Sequence, residues 1–131
     1  MNNKLNKILA EISAGELIDK ITILEIKKIK ISNRDKLDNI EKELSSLSET
    51  MKKFVPDQSN VAGLISKLKE INLKLWDIED GKRAAEKNND FGEKFIELAR
   101  NVYKINDERA RVKLAINNAL GSNIKEVKSY E

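Results

Sequence analysis

Asn72, Trp76, Glu79 and Arg83 follow one another at steps of four, three and four residues, so on a helix they share one side. Together they offer an amide, an indole, a carboxylate and a guanidinium, the mixture of flat apolar wall and convergent polar groups that lines small-molecule pockets. Ala99, Tyr103, Asn106 and Ala110 repeat the rhythm further along. If the two stripes face each other in a helical hairpin that turns near Asn89, Asn72 comes near Asn106, Glu79 near Ala99, and Trp76 lies beside Val102 and Tyr103. Glu25 and Lys28, polar residues among the isoleucines of an earlier stretch, can be brought to the same place. Asn72, Trp76, Glu79, Arg83, Tyr103, Asn106, Glu25 and Lys28 are therefore the candidate ligand-binding set. Asp80, Asp107 and Arg109 adjoin the stripes, either as supporting partners or as solvated charges. The same set admits a structural reading, because a buried Asn or Glu at a helical seam sets register and oligomeric state, and Trp and Tyr are common at the edge of a core.

Composition narrows the chemistry. The chain has 131 residues, the size of one domain with a genuine core, and it contains no cysteine and no histidine. Disulfides, thiolate and imidazole chemistry and the usual zinc ligands are thereby removed, and neither a metal nor a cofactor is expected. The 25 basic and 22 acidic residues, net +3, are interleaved rather than clustered, which argues against a nucleic-acid surface. Nowhere do about 18 apolar residues run together, and the N-terminus has no long apolar core of a signal peptide, so a cytoplasmic protein without a membrane span is expected.

The elements that must position the polar set are helices. Ser13 with Glu16 three residues on is a capping-box signature that starts a first helix running to about Ile31. Leu17, Ile21, Leu24 and Ile31 occupy one face, Ile18 and Ile29 the flank, and Ile23 and Ile26 a third side, which predicts a central helix or one that also faces a second copy. Residues 1–12, with Leu5, Ile8, Leu9 and Ile12, form an arm or a short helical turn. Ser32, with Asp35 after it, predicts the cap of a second helix over about Arg34 to Phe54, whose Leu37, Ile40, Leu44, Leu47, Met51 and Phe54 make a coiled-coil-like seam. Pro56 ends it. A third helix spans about Val61 to Lys87 with Leu64, Leu68, Ile71, Leu75 and Ile78 as its apolar face, and Asn88-Asn89-Asp90 turns the chain. Asp90 with Glu93 predicts a second capping box, and Gly121 a left-handed cap at the end of the fourth helix. Residues 122–131 form a tail.

No segment alternates as a half-buried strand does, so the expected fold is all-α, an up-down bundle of about four helices built from long antiparallel hairpins in a single domain. Helical pyrophosphatases need paired acidic motifs on facing helices to hold Mg²⁺, and only Glu16-x-x-Asp19 has that form, with Glu16 assigned to capping. A helical chorismate mutase needs several cations to clamp two carboxylates, whereas the set above is mixed and rather acidic.

Several blocks carry a resemblance across nearly the whole chain. These are Gly15 to Lys27 (Gly-Glu-x-Ile-Asp-Lys-x-Thr-Ile-Leu-Glu-Ile-Lys), Leu75 to Asp80 (Leu-Trp-x-Ile-Glu-Asp), Asp90-Phe91-Gly92 with Phe95, Asn106 to Ala110 (Asn-Asp-x-Arg-Ala) and Lys128-Ser129-Tyr130. The sequence resembles a family of small bacterial proteins of unassigned function. Asn33-Arg34-Asp35 departs from the Asp-Pro typical between its first two helices. The resemblance transfers no catalytic residue and implies a link to surface-glycan assembly. The expected function is a helical binding or interaction module that self-associates through its first or second helix and meets a protein partner. The alternative is a small enzyme or small-molecule-binding protein with its pocket between helices three and four.

Overall fold

The computed structural model describes residues 5–125 and 127. Within them the chain forms four helices, α1 (Ala14–Lys30), α2 (Arg34–Phe54), α3 (Ala62–Lys87) and α4 (Glu93–Leu120), and no described residue lies in a strand. The protein is an all-α up-down bundle. α1 packs against each of the other three helices, α3 packs against α4, and α2 approaches only α1. The apolar residues on three sides of α1, Ile29 excepted at 73% exposed, therefore have an explanation within one chain: the helix is central. Leu17 and Ile18 from α1 join Met51, Leu68, Ile71, Val112 and Ile116 in one core cluster, and burying each such side chain stabilises the fold by about 1.5–3 kcal/mol.

Directions follow from contacts. Residues rising along α1 meet residues falling along α4, Glu16 with Lys113 and Asp19 with Arg109, so these helices are antiparallel. α3 and α4 are antiparallel partners of a hairpin, joined across it by a Lys67–Glu108 pair at 3.3 Å. At the hairpin's turn Asn89 takes a left-handed φ of 54°.

The helix ends show where local rules held and where tertiary contacts replaced them. The Ser13 hydroxyl accepts from the Glu16 amide at 3.0 Å, but the Glu16 carboxylate turns away from the cap toward Lys113. Above the cap, the Ala14 amide donates to Ser122 Oγ at 3.1 Å and the Gly15 amide to Asn117 Oδ1 at 2.6 Å. The end of α4 thus satisfies donors that any helix start leaves open. Asn33, not Ser32, caps α2, accepting from the Lys36 amide at 3.0 Å. The expected Asp90–Glu93 box does not form. α4 starts two residues later than that box requires, after Gly92, whose amide donates to Asp90 Oδ1 at 3.3 Å. Gly121 caps α4 with φ 63°. Between α2 and α3, the Ser59 hydroxyl and then its amide donate to Asp57 and hold that carboxyl below the ordinary carboxylate range.

Two apolar stretches are less covered than their spacing predicted. Residues 5–12 form no helical turn, and Leu5, Ile8 and Leu9 stand exposed. Of the α2 seam, Ile40 and Met51 are buried while Phe54 is 70% exposed, because a helix with one neighbour can bury only one narrow stripe. Of the expected tail, residues 126 and 128–131 lie outside the described residues.

Gly15 sits where α1 and α4 come closest. A Cβ there would stand 2.5 Å from the Lys113 carbonyl oxygen and 2.9 Å from Asn117 Oδ1, both held in place. Gly15→Ala should lower the urea midpoint with an unchanged slope, at a cost of about 1–3 kcal/mol or more. Gly63→Ala, where nothing lies within 4 Å, should be neutral or stabilising by about 0.4–1 kcal/mol.

Candidate functional site

The polar groups that the fold gathers most tightly come from α1 and α4, with one from α3. On α4, Arg109, Lys113 and Asn117 repeat every four residues and so form one stripe. On α1, Glu16, Asp19 and Thr22 face them. Arg109 donates to Asp19 through two nitrogens, from Nε to Oδ1 at 3.0 Å and from Nη2 to Oδ2. This is the planar two-point pairing to which guanidinium is suited. Lys113 Nζ donates to Glu16 Oε2 at 2.7 Å and lies 3.9 Å from Asp19 Oδ2. The Thr22 hydroxyl donates to the Asp19 carbonyl at 2.8 Å. From α3, the Asn72 amide nitrogen donates to Asp19 Oδ1 and to Thr22 Oγ1, each at 2.9 Å.

This network is closed to water on most sides. Asp19 is 1% exposed and Lys113 8%, while the Arg109 side chain keeps 27%. Glu16 and Asp19 face Arg109 and Lys113, with Lys20 reaching Glu16 from the solvent side at 3.6 Å, and no fully buried side-chain nitrogen or oxygen among the described residues lacks a hydrogen-bond partner. Taking charges out of water is costly unless the geometry is good and the remaining lone pairs are satisfied. Here both conditions are met.

Beside the network, α1 and α3 leave a cleft of about 250 Å³ lined by Ile23, Ile26, Asn72, Leu75, Trp76, Glu79, Asp80, Arg83 and Arg109. Four of the sequence-derived residues, Asn72, Trp76, Glu79 and Arg83, line it together. The cleft lies mainly between α1 and α3, however, with Arg109 as the one contribution of α4. Asn72 points its nitrogen at Asp19 rather than toward Asn106, and Asn106 instead accepts weakly from Arg109 at 3.5 Å. Tyr103 is 57% exposed on the outer side of α4, outside the cleft. Glu25 pairs with Lys69 at 3.6 Å, and Lys28 is exposed near the end of α1. Glu79 pairs with Lys82 of its own helix at 3.4 Å. Asp80 and Arg109 join the lining, whereas Asp107 does not.

The sequence reading missed Asp19, Lys113 and Asn117, and left the role of Arg109 open. The signal was present as matched polar stripes, Glu16, Asp19 and Thr22 on one helix and Arg109, Lys113 and Asn117 on another. What hid it was the assignment of Glu16 to the cap. Among the described residues no three of Asp, Glu, His and Cys gather as they would around a metal ion, and no helix is long and apolar enough to cross a membrane.

Fold and site together define a small four-helix protein whose central helix is locked to its last helix by a largely buried network of ion pairs and hydrogen bonds. The chain belongs to a family of unknown function (DUF6165), whose model matches residues 8–131. No curated protein and no solved structure matches it.

The network and the cleft rim should respond very differently to substitution. Asp19→Ala leaves Arg109 without its carboxylate and should cost about 3–5 kcal/mol in chemical denaturation. Adding Arg109→Met to that variant should restore part of the loss, because two apolar groups replace a broken pair. Glu79→Gln, at a half-exposed surface pair, should change stability by less than about 1 kcal/mol. An Asp19→Ala protein as stable as the original would show that the pair does not hold the helices together.

Proposed function

We propose that the chain is a cytoplasmic helical interaction module that self-associates and engages a protein partner, with a role in surface-glycan assembly suggested by the family resemblance. The observation that carries the contact function is an uncovered apolar surface at one end of the bundle. Leu9 and Ile12 of the arm, Phe54 at the end of α2, and Ile124 after α4 line one groove of about 790 Å³, and Leu9 and Phe54 are 90% and 70% exposed. Contiguous exposed apolar surface on a small protein marks a place where another surface sits. α1, expected as one route of self-association, has most of its apolar residues covered by the other three helices and leaves Ile29 exposed by itself near its end, so the contact is assigned to this end of the bundle instead.

A second reading, small-molecule binding or catalysis in the cleft between α1 and α3, is favoured by the four convergent residues of α3 that line it. It does not compete with the first for the same surface, since the apolar end and the cleft share no residue.

Sedimentation velocity of the full chain should show a concentration-dependent dimer or larger species. Phe54→Lys together with Leu9→Glu should leave a monomer with an unchanged melting temperature. A single monomeric species at high micromolar concentration would refute self-association. The glycan link predicts altered surface polysaccharide when the coding sequence is deleted, and an unaltered polysaccharide would remove it.

A further inference from the structure

Trp76 is the only tryptophan of the chain, and it stands in the wall of the cleft between α1 and α3. Ile23, Ile26 and Leu75 supply an apolar surface. The polar groups around it fall into two kinds. Arg109 and Glu79 already have opposite charges beside them, Asp19 for the first and Lys82 for the second. The Asn72 carbonyl, the Trp76 indole N–H, the Asp80 carboxylate and the Arg83 guanidinium have no hydrogen-bond or ion-pair partner among the described residues.

Asn72 decides the matter. Its side chain is held in the network by two donated hydrogen bonds at the wall of the cleft, and its carbonyl oxygen, without a donor among the described residues, keeps contact with solvent. An acceptor fixed in place at the edge of solvent can exchange its water for a donor on a ligand at little ordering cost. The position therefore favours a donor that arrives from outside. The open groups number two acceptors and two donors, and their charges, one negative on Asp80 and one positive on Arg83, cancel.

We propose that this cleft binds an uncharged, ring-shaped small molecule carrying hydrogen-bond donors and acceptors on its edge, the chemistry that monosaccharides and nucleosides share. The proposal rests on the second reading above and gives it a ligand class. The ring lies against Trp76 and the apolar surface, one edge hydroxyl or N–H donates to the Asn72 carbonyl, and the opposite edge reaches Asp80 and Arg83. The volume, about 250 Å³, lies just below the range of about 300–1,000 Å³ that suits drug-sized ligands, which fits one or two rings. Anions meet Glu79 and Asp80, and cations meet Arg83 and Arg109, so net charge of either sign is disfavoured.

The single tryptophan makes the test direct. Emission of the full chain is titrated with N-acetylglucosamine, methyl glucoside and uridine as neutral probes, and with benzoate and benzylamine as charged ones. At least one neutral probe should change the emission saturably below about 10 mM, an affinity of a few kcal/mol. The sugars and uridine separate the two sources of the ligand. Asp80→Ala and Arg83→Ala, both at exposed positions outside the buried network, should each weaken that response about tenfold with no change in melting temperature. A saturable response that survives both substitutions overturns the proposal. A response to benzoate or benzylamine alone overturns the ligand class and keeps the cleft as a site. Silence from all five probes overturns both.

Discussion

A carboxylate that is 1% exposed cannot stand alone in a helical core, and the fold around Asp19 is arranged by that fact. Arg109 must lie across from it, which fixes where α4 crosses α1. Asn72 must donate to it, which fixes the rotation of α3. Apolar packing among Leu17, Leu68, Ile71 and Ile116 supplies most of the driving force, yet such contacts tolerate sliding by a residue or a turn. The two-point Arg109–Asp19 pair does not, since a slip of one residue would break both of its hydrogen bonds. The network thus selects one register among several that the apolar seams would accept. The close approach at Gly15 does the same by shape, because only a residue without a side chain lets the Asn117 amide oxygen reach the start of α1.

The seams themselves were legible. Apolar residues at steps of three and four predicted helices, and α2 spans Arg34–Phe54 as the spacing indicated, because periodicity of this kind reports directly on which side of a helix is dry. Gly121 was legible because its backbone carries a conformation that glycine alone adopts easily. The caps were less so. Ser32 and Asn33 are both competent, and which one serves depends on where the chain leaves α1. The Asp90 and Glu93 pair had the right letters, but the turn around Asn89 places Gly92 at the cap.

The site was legible only in part, for a reason of scale. Asn72, Trp76, Glu79 and Arg83 share one helix face, and short spacing reveals that. Which neighbour that face meets depends on how three helices are rotated about one another, so the inferred partner helix was α4 and the actual one is α1. Asp19 and Arg109 lie 90 residues apart, and each taken alone reads as an ordinary solvated charge. Their meaning comes only from being opposite. Tyr103 shows the converse error, an aromatic residue placed in a pocket by rhythm and found on the outside by packing.

The span between those two residues also bears on how the chain comes to be made. While α1, α2 and α3 emerge from a ribosome, Asp19 lacks its guanidinium partner and Glu16 has only the half-exposed Lys20 of its own helix, because Arg109 and Lys113 are still to be synthesised. At ordinary rates of about 5–20 residues per second, that interval lasts roughly 5 to 20 seconds. Throughout it α1 carries isoleucines that only α4 can finish covering and carboxylates that keep it wet. An unpaired carboxylate is costly to bury, so Asp19 favours water until its guanidinium is made. The acid at the centre of the finished fold therefore doubles as a solubilising group during synthesis, and the last helix to arrive converts it from one use to the other.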